Sequence, residues 1–200
     1  MNSSRTTSFQ LIERIKKGDR DAFNPLFEKY RKRLAVWIYY RLSASLRAYV
    51  EIDDLLQETF LRAFTQFDDF TYQSSGSFMR WISRIAEHLI ADTARFHGRA
   101  KRHASEVVPL RSPSNPAGVE PIDPQTPSRI FSRQQKLADL IARLDALPGN
   151  YREVIILAKV EGLTTQEIAE RLGKSREGAA LLLCRALKSF RETLAAPPLL

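Results

Sequence analysis

The amino-acid sequence predicts an all-α fold, with two small helical domains joined by a flexible, Pro-rich linker. Three observations predict it. Apolar residues recur at three- and four-residue spacing through both ends of the chain, as an amphipathic helix requires. Pro109, Pro113, Pro116, Pro121, Pro124 and Pro127 crowd into Ala104–Pro127 among Ser, Gly and Asn, with no helical or alternating period. The run from Thr164 to Ser175 writes two helix starts and one stop, the pattern of a helix-turn-helix. The expected division is a first domain over residues 8–103, a linker over 104–127 and a second domain over 128–195, which holds the helix-turn-helix.

Four helices are expected in the first domain. Ser8 is placed to cap a short one carrying Leu11, Ile12 and Ile15, ended by Gly18. The second sets Leu26, Phe27, Tyr30, Leu34, Trp37, Ile38 and Leu42 at helical spacing, with Pro25 in its first turn. The third is expected to begin at Asp53 or Asp54, where Gln57 can close a capping box. Its apolar face is Leu56, Phe60, Ala63, Phe64 and Phe67. A loop over Asp68–Gly76 leads to the fourth helix, capped by Ser77 and burying Phe78, Ile82, Ile85 and Leu89. Arg80, Arg84, His88, Arg95 and Arg99 ride its polar side.

The second domain repeats the style. Leu137, Leu140, Ile141, Leu144 and Leu147 define a helix that stops at Pro148-Gly149. Another runs from about Tyr151 to Val160, with Val154, Ile155 and Leu157 inward. Thr164 and Glu167 then form a capping box, flanked by Leu163 and Ile168 as a hydrophobic staple. Gly173 suits the left-handed stop and Ser175 caps the last helix, which buries Ala179, Leu182, Leu183, Ala186, Leu187 and Phe190. Two short helices across a tight turn present the second one to the DNA major groove.

The bulk numbers point the same way. The formal net charge of +8 favours a polyanionic partner, because each phosphate contact releases counterions. One cysteine, Cys184, excludes an internal disulfide and a multi-cysteine zinc site. His88, His97 and His103 lack metal-ligand spacing, so neither metal nor cofactor is expected. No apolar run reaches transmembrane length and no secretory signal opens the chain, so a cytoplasmic location without membrane insertion is expected. Asp53-Asp54 and Asp68-Asp69 are the adjacent acidic pairs, and capping of helix ends explains both, so no catalytic residue is assigned.

Taken in order, these motifs resemble the bacterial RNA polymerase sigma factors, in the two-domain extracytoplasmic-function class of the sigma-70 family. The resemblance rests on Gly18-Asp19 with Ala22-Phe23, on Asp54–Ala63, on Ser77–Ala86 with Leu89, Asp92 and Arg95, on Leu147-Pro148, on Tyr151–Val154, and on Gly162–Ser175. It implies a factor that binds core RNA polymerase and directs promoter-specific initiation, without enzymatic activity or a small-molecule ligand. Asp54, Leu55, Gln57 and Glu58 correspond to the polymerase-docking face. Phe70, Tyr72, Arg80, Trp81, Arg84 and Arg95, with the basic run Arg99–His103, correspond to the surface for the promoter −10 element. There aromatic rings can stack on unpaired bases, although Trp81 is equally well placed for the core. Lys174, Ser175, Arg176 and Glu177 fall where the −35 element is read, with Arg185 and Lys188 in reach of phosphates. The chain departs from the family at Ala180-Leu181-Leu182, where a lysine and an arginine are usual. Leu181 and Cys184 are therefore placed as outward apolar residues packing on a partner, with an ordinary half-buried cysteine as the alternative for Cys184. The family also implies an anti-sigma protein as partner, which no segment here identifies. The alternative is a stand-alone helix-turn-helix transcriptional regulator, which needs a dimer to gain affinity.

Overall fold

Local capping chemistry, followed by aromatic packing, sets the frame of the molecule. The computed structural model describes residues 7–74, 76–103 and 127–195, with side chains described over 7–74, 76–97 and 135–195. The linker expected over Ala104–Pro127 thus lies, apart from Pro127, outside the described residues, as do the side chains of Arg99–His103. Among the described residues every regular element is helical.

The first unit is α1 (Ser8–Lys16), α2 (Phe23–Arg41), α3 (Ala44–Arg47), α4 (Ile52–Thr65) and α5 (Ser77–His103). Thr7, rather than Ser8, caps α1, because Gln10 sits three residues beyond it and completes the reciprocal box. Ser8 instead receives a hydrogen bond from the Tyr30 hydroxyl at 3.0 Å, tying α1 to α2. Helix α4 starts one residue before the expected window and has no side-chain cap. Asp53 and Asp54 occupy its first turn, where negative charge suits the helix dipole, and Asp53 pairs with Arg31 of α2 at 2.8 Å. The four-residue α3 was not expected: Ser43 starts it by accepting a hydrogen bond from the Leu46 N–H at 3.2 Å.

The core of this unit is strongly aromatic. Phe27 stacks on Phe60 at 4.6 Å, and Phe23 meets Phe64 at 4.6 Å and Phe67 at 4.8 Å. At the other end Phe78, fully buried, lies 4.7 Å from Tyr30 and 5.5 Å from Phe70. Such ring pairs add about 0.5–1.5 kcal/mol each beyond the area they bury.

The second unit is α6 (Pro127–Asp145), α7 (Gly149–Ile155), α8 (Thr165–Leu172) and α9 (Arg176–Ala195). Helix α6 begins ten residues before the first apolar position read from the sequence, with Pro127 as its first residue, where a missing N–H costs least. Arg143, almost fully buried, pairs with Asp139 at 2.9 Å and donates to the Thr193 carbonyl, clasping α6 to α9. The helix expected to run to Val160 changes character after Ile155: Ile156–Glu161 wind as a π-helix. Gly162, with φ of 75°, ends that wide turn in the left-handed conformation that glycine tolerates.

Thr164 and Glu167 make the expected capping box, with the Glu167 carboxylate 2.7 Å from the Thr164 N–H. These bonds, the backbone one first, hold the Glu167 carboxyl below its ordinary value of 4.5. A carboxyl lowered on folding contributes stability above its unfolded pKa and loses it as pH falls through the folded value. Thr164→Ala should therefore cost about 1 kcal/mol at neutral pH. That cost should shrink once the pH drops below 4.5, a dependence that urea unfolding at several pH values would read. A pH-independent cost would remove Glu167 from the box.

Candidate nucleic-acid interface

Two exposed faces of opposite character sit on the first unit. On α4, Asp54 and Gln57 are exposed and Glu58 is half-exposed, all on the side away from Leu56 and Phe60. Glu58 pairs with Arg62 at 2.8 Å, and Arg62 also lies 3.9 Å from Asp92 of α5. Leu55 does not belong to this face. It is buried, because one residue further along the helix turns the side chain toward the core. The stripe holds instead an outward leucine, Leu61, which is 49% exposed between the acidic and amide groups. Its signal was in the sequence: Leu61 is off the helical spacing of Leu56, Phe60, Ala63 and Phe64.

The second face lies on α5 and the loop before it. Arg80, Arg84, His88 and Arg95 are exposed on one side of the helix. Arg95 pairs with Asp92 at 2.5 Å, an exposed bond that a phosphate can displace at little cost. Arg80 donates to the Ser74 hydroxyl at 3.0 Å, bracing the loop. Ser77 is the first helical residue rather than a simple cap. Its hydroxyl accepts from the Gln73 and Ser74 N–H groups and donates to the Ser74 carbonyl.

The aromatic candidates separate here. Phe70 is 2% exposed, so its ring is core and not a stacking platform. A 3-10 turn over Phe67–Asp69 folds it back onto Phe78 and Trp81, the latter at 5.0 Å. Trp81 is half-buried, packed against Phe67, Phe70 and Phe78 while keeping a solvent edge. Its packing against the core rings is the half of the expectation that the structure answers. Tyr72 is also half-buried, with its ring 5.1 Å from the exposed Phe9 of α1. Phe9 thus joins the aromatic group, although its place in the sequence carried no hint of it.

On the second unit, Ser175 caps α9 by accepting the Gly178 N–H at 3.0 Å, and Gly173 adopts φ of 61° between the two helices. Lys174, Ser175, Arg176 and Glu177 all stand exposed at the N-terminal end of α9. Arg185 and Lys188 continue the exposed face toward its C-terminal end. Between them lie Ala180, Leu181 (52% exposed) and Cys184, all turned outward. Ala179 and Ala186 are fully buried on the opposite side, where the helix approaches its neighbours.

The arrangement defines a helical DNA-binding protein with a helix-turn-helix unit and a separate unit that carries an acidic–apolar face and a basic–aromatic face. Comparison with known proteins narrows this class. Residues 26–100 match the family model described as Sigma-70 region 2, and residues 137–190 match Sigma-70, region 4. The chain is 30% identical over 194 residues to the ECF RNA polymerase sigma factor BldN of Streptomyces coelicolor, covering 96% of this chain and 68% of that protein. It is 31% identical over 181 residues to the ECF RNA polymerase sigma factor SigE of Mycolicibacterium smegmatis, covering 89% of this chain and 65% of that protein. A solved structure of the sigma factor RpoE with the anti-sigma factor NepR from Bartonella quintana aligns at 20% identity. It covers 90% of this chain and 97% of the other, with a TM-score of 0.38. The chain belongs to the extracytoplasmic-function sigma factors of RNA polymerase, non-enzymatic initiation factors that direct core polymerase to promoters. A stand-alone regulator is not favoured by this membership. Among the described residues no helix is long and apolar enough to cross a membrane.

Proposed function

We propose that residues 8–103 dock on core RNA polymerase through the α4 face and hold the −10 element on α5, while residues 128–195 read the −35 element with α9. The observation that carries this is the pairing of two chemically distinct faces on one small unit. Asp54, Gln57, Glu58 and Leu61 suit a protein partner with a basic and apolar surface. Arg80, Arg84 and Arg95, beside the open edges of Tyr72 and Trp81, suit a separated strand whose phosphates and bases need different contacts. The third proposed partner is an anti-sigma protein, and the proposed location is the cytoplasm, where polymerase acts.

In the second unit, Arg176 and Lys174 take base edges and Arg185 and Lys188 take phosphates. Leu181 offers an apolar surface that fits the C5-methyl group of thymine in the major groove. The test is transcription from promoter templates with purified core polymerase plus this chain. Glu58→Lys should weaken core binding about tenfold through lost charge complementarity, with unfolding by urea nearly unchanged. Equal affinity in a titration would return Glu58 to a plain helix-surface role. No promoter-dependent transcript from the unaltered chain would end the proposal.

A further inference from the structure

Arg80 stands exposed on the polar side of α5, where its charge alone would make it one phosphate contact among several. Its geometry gives it a second task. A helical side chain leans toward the N-terminus of its helix, so Arg80 lies back over the end of the preceding loop. There its Nη2 donates to the Ser74 hydroxyl at 3.0 Å. The guanidinium also sits directly against Gly76. A Cβ at Gly76 would stand 2.9 Å from Arg80 Nη1 and 3.6 Å from Arg80 Cζ, so no side chain fits beneath it. Gly76 does not have a positive φ; its lack of a side chain is what lets the guanidinium come so close. The Gly162 carbonyl lies 3.5 Å from the same point, an ordinary contact, so the guanidinium is the group that an alanine here must displace.

This contact completes a set of bonds on Ser74. The Ser77 hydroxyl accepts from the Ser74 N–H at 3.4 Å and donates to the Ser74 carbonyl at 2.7 Å. The Ser77 N–H reaches that carbonyl at 3.0 Å, and Arg80 takes the remaining polar group, the side-chain hydroxyl. At the other end of the loop the Phe70 ring is buried against Phe78 and Trp81. Between these anchors Thr71 and Gln73 stand exposed, and the half-buried Tyr72 ring rests 5.1 Å from Phe9. A loop without regular structure otherwise samples many shapes, and all but one must be given up when a strand binds.

We propose that Arg80 is a positioning residue for this loop: its guanidinium, seated on the bare backbone of Gly76 and bonded to Ser74, sets the loop in the shape that receives the separated strand. This rests on the proposed role of α5 and its loop in holding the −10 element. Arginine suits the task where lysine does not, because a planar fork lies flat on a glycine and still directs one N–H at a hydroxyl. The fraction of chain with the loop in its receiving shape scales the apparent affinity for a strand whose bases the loop must meet. A phosphate contact acts differently: it strengthens every strand alike and adds to the salt dependence.

The test uses the full chain bound to core polymerase, and a single-stranded DNA selected from a random pool by that complex and not by core alone. Its affinity is compared with that of an oligothymidine of equal length over a range of salt. Arg80→Lys, Ser74→Ala and Gly76→Ala all keep the positive charge. Each should reduce the preference for the selected strand about three- to tenfold, the range that loss of one hydrogen bond gives. Oligothymidine affinity and the salt slope should hold. The urea midpoint should also hold, because the displaced group is the free end of an exposed side chain. Gly76→Ala added to Arg80→Ala should lower the preference no further than Arg80→Ala alone, since both disturb one contact. An unchanged preference in the three charge-keeping variants, or full additivity in the double variant, would leave Arg80 a phosphate contact and overturn the proposal. Failure of the pool to yield any strand that the complex binds and core alone does not would instead refute the −10 role of α5, and with it the need for a positioned loop.

Discussion

Phe78→Ala should destabilise the first unit by about 3–5 kcal/mol, the range for removing a fully buried aromatic ring without collapse of the space left behind. Phe78 has 0% exposure and touches the rings of Tyr30 of α2, Phe70 of the loop and Trp81 one turn along its own helix. None of these can move in to fill the cavity, because each is itself held by the helix or turn that carries it. Chemical denaturation should show the loss, and Phe78→Leu should recover a large part of it. The loss has a functional side. Phe70 and Trp81 lean on Phe78, so the aromatic edge proposed for the −10 strand should lose its support before the helices unfold. Full stability with an alanine at this position would mean that the loop can repack, and the account of Trp81 as a braced platform would fail.

The second large effect is expected in promoter choice. Arg176 stands exposed in the first turn of α9, beside Lys174 and Glu177 and clear of the buried alanines behind it. A bidentate arginine–guanine contact discriminates by about 1–3 kcal/mol, so Arg176→Ala should cut selection of the upstream element roughly tenfold and relax sequence preference there. Lys188→Ala, by contrast, should weaken binding evenly across sequences and reduce the dependence on salt. Competition between two promoters that differ only upstream would separate the two. In the same assay, replacing upstream thymine by deoxyuridine should weaken the unaltered chain more than Leu181→Ala, which no longer contacts the methyl group. Unchanged promoter choice in Arg176→Ala would remove that residue from the readout.

Much of the proposed site was legible before any coordinates. The helix-turn-helix formed as its residues suggested, from the Thr164–Glu167 box to the Gly173 stop and the Ser175 cap. Each of those interactions spans three residues or fewer, or a single backbone angle, so its physics is contained in the local sequence. Cap positions were less secure where two candidates stood side by side: Thr7 displaced Ser8 because only Thr7 has its glutamine at the matching distance.

Side-chain direction was the weaker part. Periodicity separates an apolar face from a polar one, but a motif such as Asp54–Glu58 covers more than a full turn and must include an inward residue, here Leu55. Phe70 looked like a loop aromatic because its loop carries polar residues; the short 3-10 turn that returns it to the core has no strong sequence signature.

From the sequence alone came the helical class, the two-unit order, the capped recognition helix and the basic side of α5, since these follow from spacing, capping and charge along the chain. Tertiary structure alone decided that Phe70 returns to the core, that Trp81 is both packed and exposed, and that α2 grips the second unit. The grip joins Arg33 to Val160 across 127 positions and Arg41 to Glu161 across 120. No local propensity encodes such pairs, because they exist only once two separately folded surfaces bring their charges and a backbone carbonyl to the same place.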